Sequence, residues 1–186
     1  MVFAWAHDDI VRAILTASTA LPFLLFASAG FWHFGGAWKS GTKLVSVVSL
    51  LGFGSVLYGV WTQDALSPWP ILGVALQALS LFLFGWAVGT SGRKNLGLAL
   101  NDNASRKLIT DGPYALVRHP FYTSYIVFWI GGVAVASSIF TTASALALIA
   151  LYFFTSRRED NALAGLFQDE FPAWYAATGA FFPKWR

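Results

Sequence analysis

Apolar positions run through the chain in four long stretches: no Asp, Glu, Lys or Arg occurs in 13–38, 44–63, 65–92 or 119–156. A bilayer core of about 30 Å takes about 20 apolar residues as helix, so the first three stretches each predict one spanning helix, roughly 13–38, 44–63 and 69–91. The fourth is too long for one. Its middle, Ser137-Ser138-Ile139-Phe140-Thr141-Thr142, is a polar break. Dividing there leaves two spans of about 17 residues each, short but within the spanning range. The pattern predicts an all-α integral membrane protein with five transmembrane helices. Beyond them, Leu163, Leu166, Phe167, Phe171 and Trp174 recur at steps of three and four, the spacing of an amphipathic C-terminal helix lying in the membrane interface. Residues 1–91 are read as a three-span scaffold. Residues 92–186 hold a loop, a two-span hairpin and the tail, all within one integrated domain.

Composition strengthens this picture. Hydrophobic residues make up 56% and charged residues 11%, against about 45–50% and about 25% in soluble domains. Too few charges remain to coat a soluble globule or to keep a chain disordered. The absence of cysteine excludes a disulfide scaffold and a cysteine-bound zinc module. A sequence pI of about 9.3 raises the question of a nucleic-acid partner. The basic residues answer it, because they flank apolar spans instead of forming one stripe. With an external N-terminus, Lys39, Lys43, Arg93, Lys94, Arg106, Lys107, Arg118, Arg157, Arg158, Lys184 and Arg186 all fall on one side. The positive-inside rule makes that side the cytosol, which also holds the C-terminus. Only Arg12 is left outside. A cleaved leader is the competing reading of the first span, since Ala27-Ser28-Ala29 resembles a cleavage site. Asp8 and Asp9 stand where a basic cluster belongs, so the span is expected to remain. The expected location is a multi-pass protein of a bacterial plasma membrane.

Several sites are missing from the sequence. No Gly-x-Gly-x-x-Gly and no phosphate loop occurs. His7, His33 and His119 show no metal-ligand spacing, so no metal is expected. Gly85-x-x-x-Gly89 and Ser55-x-x-x-Gly59 read as close helix packing. His33 and Gln77 are polar groups in apolar runs, read either as markers of a substrate path or as a water-reaching imidazole and an interhelical amide. Asn101-Asp102-Asn103 and Asp111-Gly112-Pro113 mark turns.

One constellation carries chemistry. Arg118 lies about as far before the break at Ser138 as Glu159 lies after it. Antiparallel helices of equal rise bring the two to the same depth, at the cytosolic rim. Around them stand Gly112-Pro113-Tyr114-Ala115-Leu116-Val117-Arg118-His119-Pro120-Phe121-Tyr122 and Arg157-Arg158-Glu159-Asp160. Pro120 suits the first turn of a helix, where its missing N–H costs nothing. Arg118 offers a rigid fork able to hold a carboxylate.

Those residues resemble the isoprenylcysteine carboxyl methyltransferase family, whose signature is Arg-His-Pro-x-Tyr followed, after a helical hairpin, by Glu-Glu. The likeness covers roughly residues 92–186, and the joint motif belongs to a wider group of membrane methyltransferases that includes phospholipid methyltransferases. Asp160 stands where the family usually has Glu, and Phe171 and Trp174 stand where related tails often carry tyrosines. The resemblance implies methyl transfer from S-adenosylmethionine, bound at the cytosolic mouth, to a lipophilic acceptor: an isoprenylcysteine carboxylate, a phospholipid amine or a hydrophobic thiol. It implies catalytic roles for Arg118 and Glu159. It implies cofactor binding by Tyr114, Leu116, Val117, Arg118, His119, Pro120, Tyr122, Glu159 and Asp160, with Arg118 on the cofactor carboxylate and the acids on its amino or ribose groups. Tyr114 or Trp174 would face the sulfonium. The alternative reading is an NADPH-dependent membrane reductase of the steroid-reductase-like type, which shares a similar hairpin and polar tail.

Overall fold

A computed structural model describes residues 2–33, 40–63, 66–92 and 108–184. The side chains of residues 2–7, 30–33 and 40–42 are excepted, so His33 as a polar group lies outside the described residues. So do Lys39, Asp64, Arg93, Lys94, Arg106, Lys107, Arg186 and the Asn101-Asp102-Asn103 turn.

Among the described residues the regular structure is helical: α1 (Val2–His33), α2 (Ser40–Thr62), α3 (Pro70–Gly92), a 3-10 turn (Gly112–Ala115), α4 (Pro120–Ala136), α5 (Ile139–Leu166) and α6 (Phe171–Ala177). Four helices are long and apolar enough to cross a membrane, through 8–29, 43–62, 70–92 and 139–166. α4 is shorter, at 17 residues. The expected five spans thus meet four helices of full spanning length and one short apolar helix. Its limits have local causes. Pro120 starts α4, and Ser137 ends it with φ of 46°, a left-handed conformation that no helix continues.

The chain divides into two compact units, residues 1–80 with 126–151 and residues 81–125 with 152–186. In the first, Leu15, Val56, Val60, Val135 and Ala136 form the buried core. Polar groups inside it are tied helix to helix. Gln77 Nε2 donates to Thr19 Oγ1 at 2.8 Å, and the Ser55 hydroxyl lies 3.3 Å from that of Thr141. Gly59 lies against Ala136 and Ser138, as its small-residue spacing predicts. At one end of this unit the Arg12 guanidinium donates to the carbonyls of Val60 and Gln63. The Gln63 amide donates to the Ala136 carbonyl at 2.7 Å. Carbonyls at a helix C-terminus lack intrahelical donors and favour a cation, so the one basic residue assigned to the far side has a capping task at the end of α2.

In the second unit Leu108, Ile109, Tyr114, Phe171 and Trp174 form a buried cluster, with Phe121, Leu163 and Phe167 packed on it. The expected continuous amphipathic tail is two pieces. α5 runs on to Leu166, and after a break the chain resumes as the seven-residue α6. Phe171 and Trp174 were expected to face the interface, but they satisfy their apolar surface inside this cluster. Gly85 and Gly89 have no atom of the described residues within 4 Å of a would-be Cβ. Their spacing therefore serves no packing among the described residues.

Candidate functional site

The site is built from the chain entering α4, the C-terminal stretch of α5 and the tail, all within the second unit. The entry segment is shaped first by Asp111-Gly112-Pro113. Gly112 has φ of 57°, and a Cβ there would stand 2.5 Å from Thr90 Oγ1, so this position admits only glycine without strain. Pro113 opens the 3-10 turn. Tyr114 ends up buried, its carbonyl accepting from Trp174 Nε1 at 2.8 Å. Burial pushes the Tyr114 phenol up from its ordinary value.

Backbone pairing then fixes the corner. Arg118 N donates to the Gly179 carbonyl at 2.8 Å and His119 N to the Ala180 carbonyl at 3.1 Å, while Val117 and Gly179 form an isolated parallel bridge. Gly179 lets the tail fold back on itself: a Cβ there would run into the Phe182 carbonyl. Thr123 Oγ1 adds a donor 3.0 Å from the Phe181 carbonyl.

Arg118 is buried, and each of its three nitrogens has an acceptor. Nε lies 3.2 Å from both Asp160 oxygens, and Nη2 is 3.2 Å from Oδ2. Nη1 donates to the Thr178 carbonyl at 2.6 Å. The guanidinium carbon sits 3.9 Å from the centre of the Tyr175 ring, a cation–π contact. The His119 ring spans two acids: Nε2 is 3.0 Å from Asp160 Oδ1 and Nδ1 is 3.3 Å from Glu159 Oε2. Burial alone would lower the imidazole pKa, but hydrogen bonds to Asp160 and Glu159 and the charge on these acids outweigh it, and the net direction is up. Tyr122 Oη donates to Glu159 Oε1 at 2.6 Å. The Tyr122 ring stacks on Tyr152 with centroids 5.4 Å apart and an interplanar angle of 14°.

The two acids therefore differ in kind. The Asp160 side chain is 12% exposed and that of Glu159 is 48% exposed. Consecutive helical residues point about 100° apart. One turns toward the Arg118 corner and the tail, the other toward Tyr122 on α4. The sequence argument set Arg118 level with Glu159, whereas the ion pair forms with Asp160 and Glu159 takes Tyr122 and His119.

Of the sequence-predicted site residues, Arg118, His119, Tyr122, Glu159 and Asp160 meet in one network. Tyr114 is buried in the apolar cluster, Val117 is buried at the bridge, Leu116 is 47% exposed, and Pro120 opens α4. Trp174 is buried beside Tyr114. Sequence reasoning missed Tyr152, Tyr175 and the carbonyls of Thr178, Gly179 and Ala180. Among the described residues no three His, Cys, Asp or Glu side chains gather in a way that could hold a metal ion.

In chemical terms the network offers a half-exposed carboxylate held by a phenol and an imidazole, resting on a buried arginine–aspartate pair. Such a carboxylate fits an ammonium group or a pair of hydroxyls; the arginine's fork is engaged by Asp160 and the Thr178 carbonyl. The model of the isoprenylcysteine carboxyl methyltransferase (ICMT) family matches residues 72–165. The chain is 35% identical over 119 residues to the cobalt-zinc-cadmium resistance protein CzcN of Cupriavidus metallidurans, covering 63% of this chain and 55% of that protein. It is 34% identical over 119 residues to the nickel-cobalt-cadmium resistance protein NccN of Alcaligenes xylosoxydans xylosoxydans, with the same coverage. The chain spans about half the length of these curated relatives.

Proposed function

The chain belongs to the isoprenylcysteine carboxyl methyltransferase family, and from that premise we propose that it is an integral membrane methyltransferase acting from S-adenosylmethionine on a lipophilic acceptor. We place its site at the cytosolic face, with five crossings, an external N-terminus and a bacterial plasma membrane as the setting. The half-exposed Glu159 carboxylate, held by Tyr122 and His119, carries the reading.

The residues present fit the cofactor through their donor set. Glu159 receives its ammonium or ribose hydroxyls, and Tyr122 and His119 orient that carboxylate. Asp160 moves from ligand to anchor: with Arg118 it fixes the corner and the tail around the site. Arg118 acts on the reaction by holding this frame. When bound, S-adenosylmethionine supplies a methyl group on a sulfonium. The protein's task is then to align donor and acceptor and to keep water out. The aromatic cluster of Tyr122, Tyr125 and Tyr152 supplies apolar walls beside Glu159.

An isoprenylcysteine carboxylate, a phospholipid amine and a hydrophobic thiol all remain within the proposed acceptor class. The names of the relatives bring metal resistance into the reading, and we assign it to the membrane component that is methylated. Calorimetric titration of the detergent-solubilised chain tests the cofactor directly. S-adenosylmethionine is expected to bind and NADPH is not; the reverse result would favour the reductase alternative. Transfer of labelled methyl into a lipid extract then identifies the acceptor, and Glu159→Ala is expected to abolish that transfer while the protein still inserts.

A further inference from the structure

Each ring nitrogen of His119 faces a carboxylate: Nε2 meets Asp160 at 3.0 Å and Nδ1 meets Glu159 at 3.3 Å. Neutral imidazole has one donor and one acceptor, so only the imidazolium can donate to both acids. The charged and titratable groups facing the ring are Arg118 beside it, Tyr122 on α4, and Glu159 and Asp160 on α5; the tail contributes the apolar Phe181 ring, 6.1 Å away. With His119 protonated, two cations balance two carboxylates. The cluster is neutral before any ligand arrives.

A cationic ligand on Glu159 upsets that balance. It brings a second positive charge to the acid that stabilises the imidazolium, and a like charge within about 4–6 Å disfavours the charged form. Losing the imidazolium proton restores neutrality, and Asp160 stays paired through Arg118. We propose that His119 is a positioning residue whose proton is given up as a cationic cofactor docks on Glu159, so that cofactor binding and proton release are one coupled event. The proposal rests on the reading that Glu159 receives the cofactor's positive end. The proton travels from Nδ1 or Nε2 to bulk buffer, and no other bond changes. Linkage then requires cofactor affinity to rise with pH through the His119 titration.

The test is calorimetric titration of the full chain with S-adenosylmethionine at one pH, in phosphate and in Tris, whose ionisation enthalpies differ. Wild type is expected to release up to one proton per cofactor, and His119→Gln is expected to bind with none released. Binding without a buffer-dependent enthalpy, or release that persists in His119→Gln, overturns the coupling and leaves the cofactor reading intact. No binding to wild type overturns both. Should His119→Gln fail to fold, a chain carrying His7→Gln and His33→Gln keeps one imidazole. Its nitrogen resonances, followed against pH, should titrate lower by one unit or more with cofactor than without it. An unchanged midpoint refutes the proposal.

Discussion

Replacing Asp160 by alanine should separate two acids that are neighbours in sequence and opposites in role. The carboxylate accepts from Arg118 Nε, Arg118 Nη2 and His119 Nε2. Its removal leaves a buried guanidinium with the Thr178 and Tyr175 carbonyls and the Tyr175 ring, and without the carboxylate that balances its charge. Breaking a buried pair from one side costs about 3–5 kcal/mol, because the remaining charge is left desolvated. Glu159 is half-exposed, and its partners reach water when it is lost, so Glu159→Ala should cost about 0–1 kcal/mol. The assay is equilibrium unfolding in mixed micelles, run beside methyl transfer. Asp160→Ala should lose stability, Glu159→Ala only turnover. A double-mutant cycle with Arg118→Ala should give a coupling of about 1–3 kcal/mol. Equal stability losses for the two acids, or additivity of Arg118→Ala and Asp160→Ala within about 0.5 kcal/mol, would refute the division of labour.

Three further outcomes follow from particular contacts. The His119 imidazole has its pKa raised above 6.5, so its stabilising contribution is full below that value and is lost as pH rises through the folded pKa. Unfolding measured across that range should show wild type losing its advantage over His119→Gln, and a constant difference would contradict it. Gly112→Ala should destabilise by about 1–3 kcal/mol, since it adds a positive-φ side chain facing Thr90; unchanged thermal unfolding would count against the strain. Gln77→Leu should be neutral within about 1 kcal/mol or stabilising. It removes an Oε1 that has no partner among the described residues, and Thr19 still donates to the Leu15 carbonyl. A loss above about 2 kcal/mol in unfolding would show that the amide matters more than this pairing suggests.

Charge spacing revealed the helices because lipid forbids unpaired charge for about 20 residues at a time. It also located the break at 137–138 and the two segments that meet in the site. Helix azimuth was harder to see. Depth along the axis changes by only 1.5 Å between residues 159 and 160, but direction changes by about 100°. Counting therefore put an acid level with Arg118 without choosing the right one. The tail was opaque for another reason: its grip on the corner uses carbonyls of Thr178, Gly179 and Ala180. Every residue carries a carbonyl, so side-chain identity gives no sign of such contacts. Phe171 and Trp174 had the periodicity of a surface helix and found an interior, because Leu108 and Ile109, just before the turn, offered them apolar partners.

The pairing of Arg118 and His119 with residues 179 and 180 also sets an order of events during biosynthesis. α4 can form while the ribosome is still making α5, but the corner at its start stays open until the polypeptide has been extended past Phe181. A nascent chain arrested shortly before Thr178 would thus lack the carbonyls that hold Arg118 and His119, and the four residues from Thr178 to Phe181 close the corner once they are made.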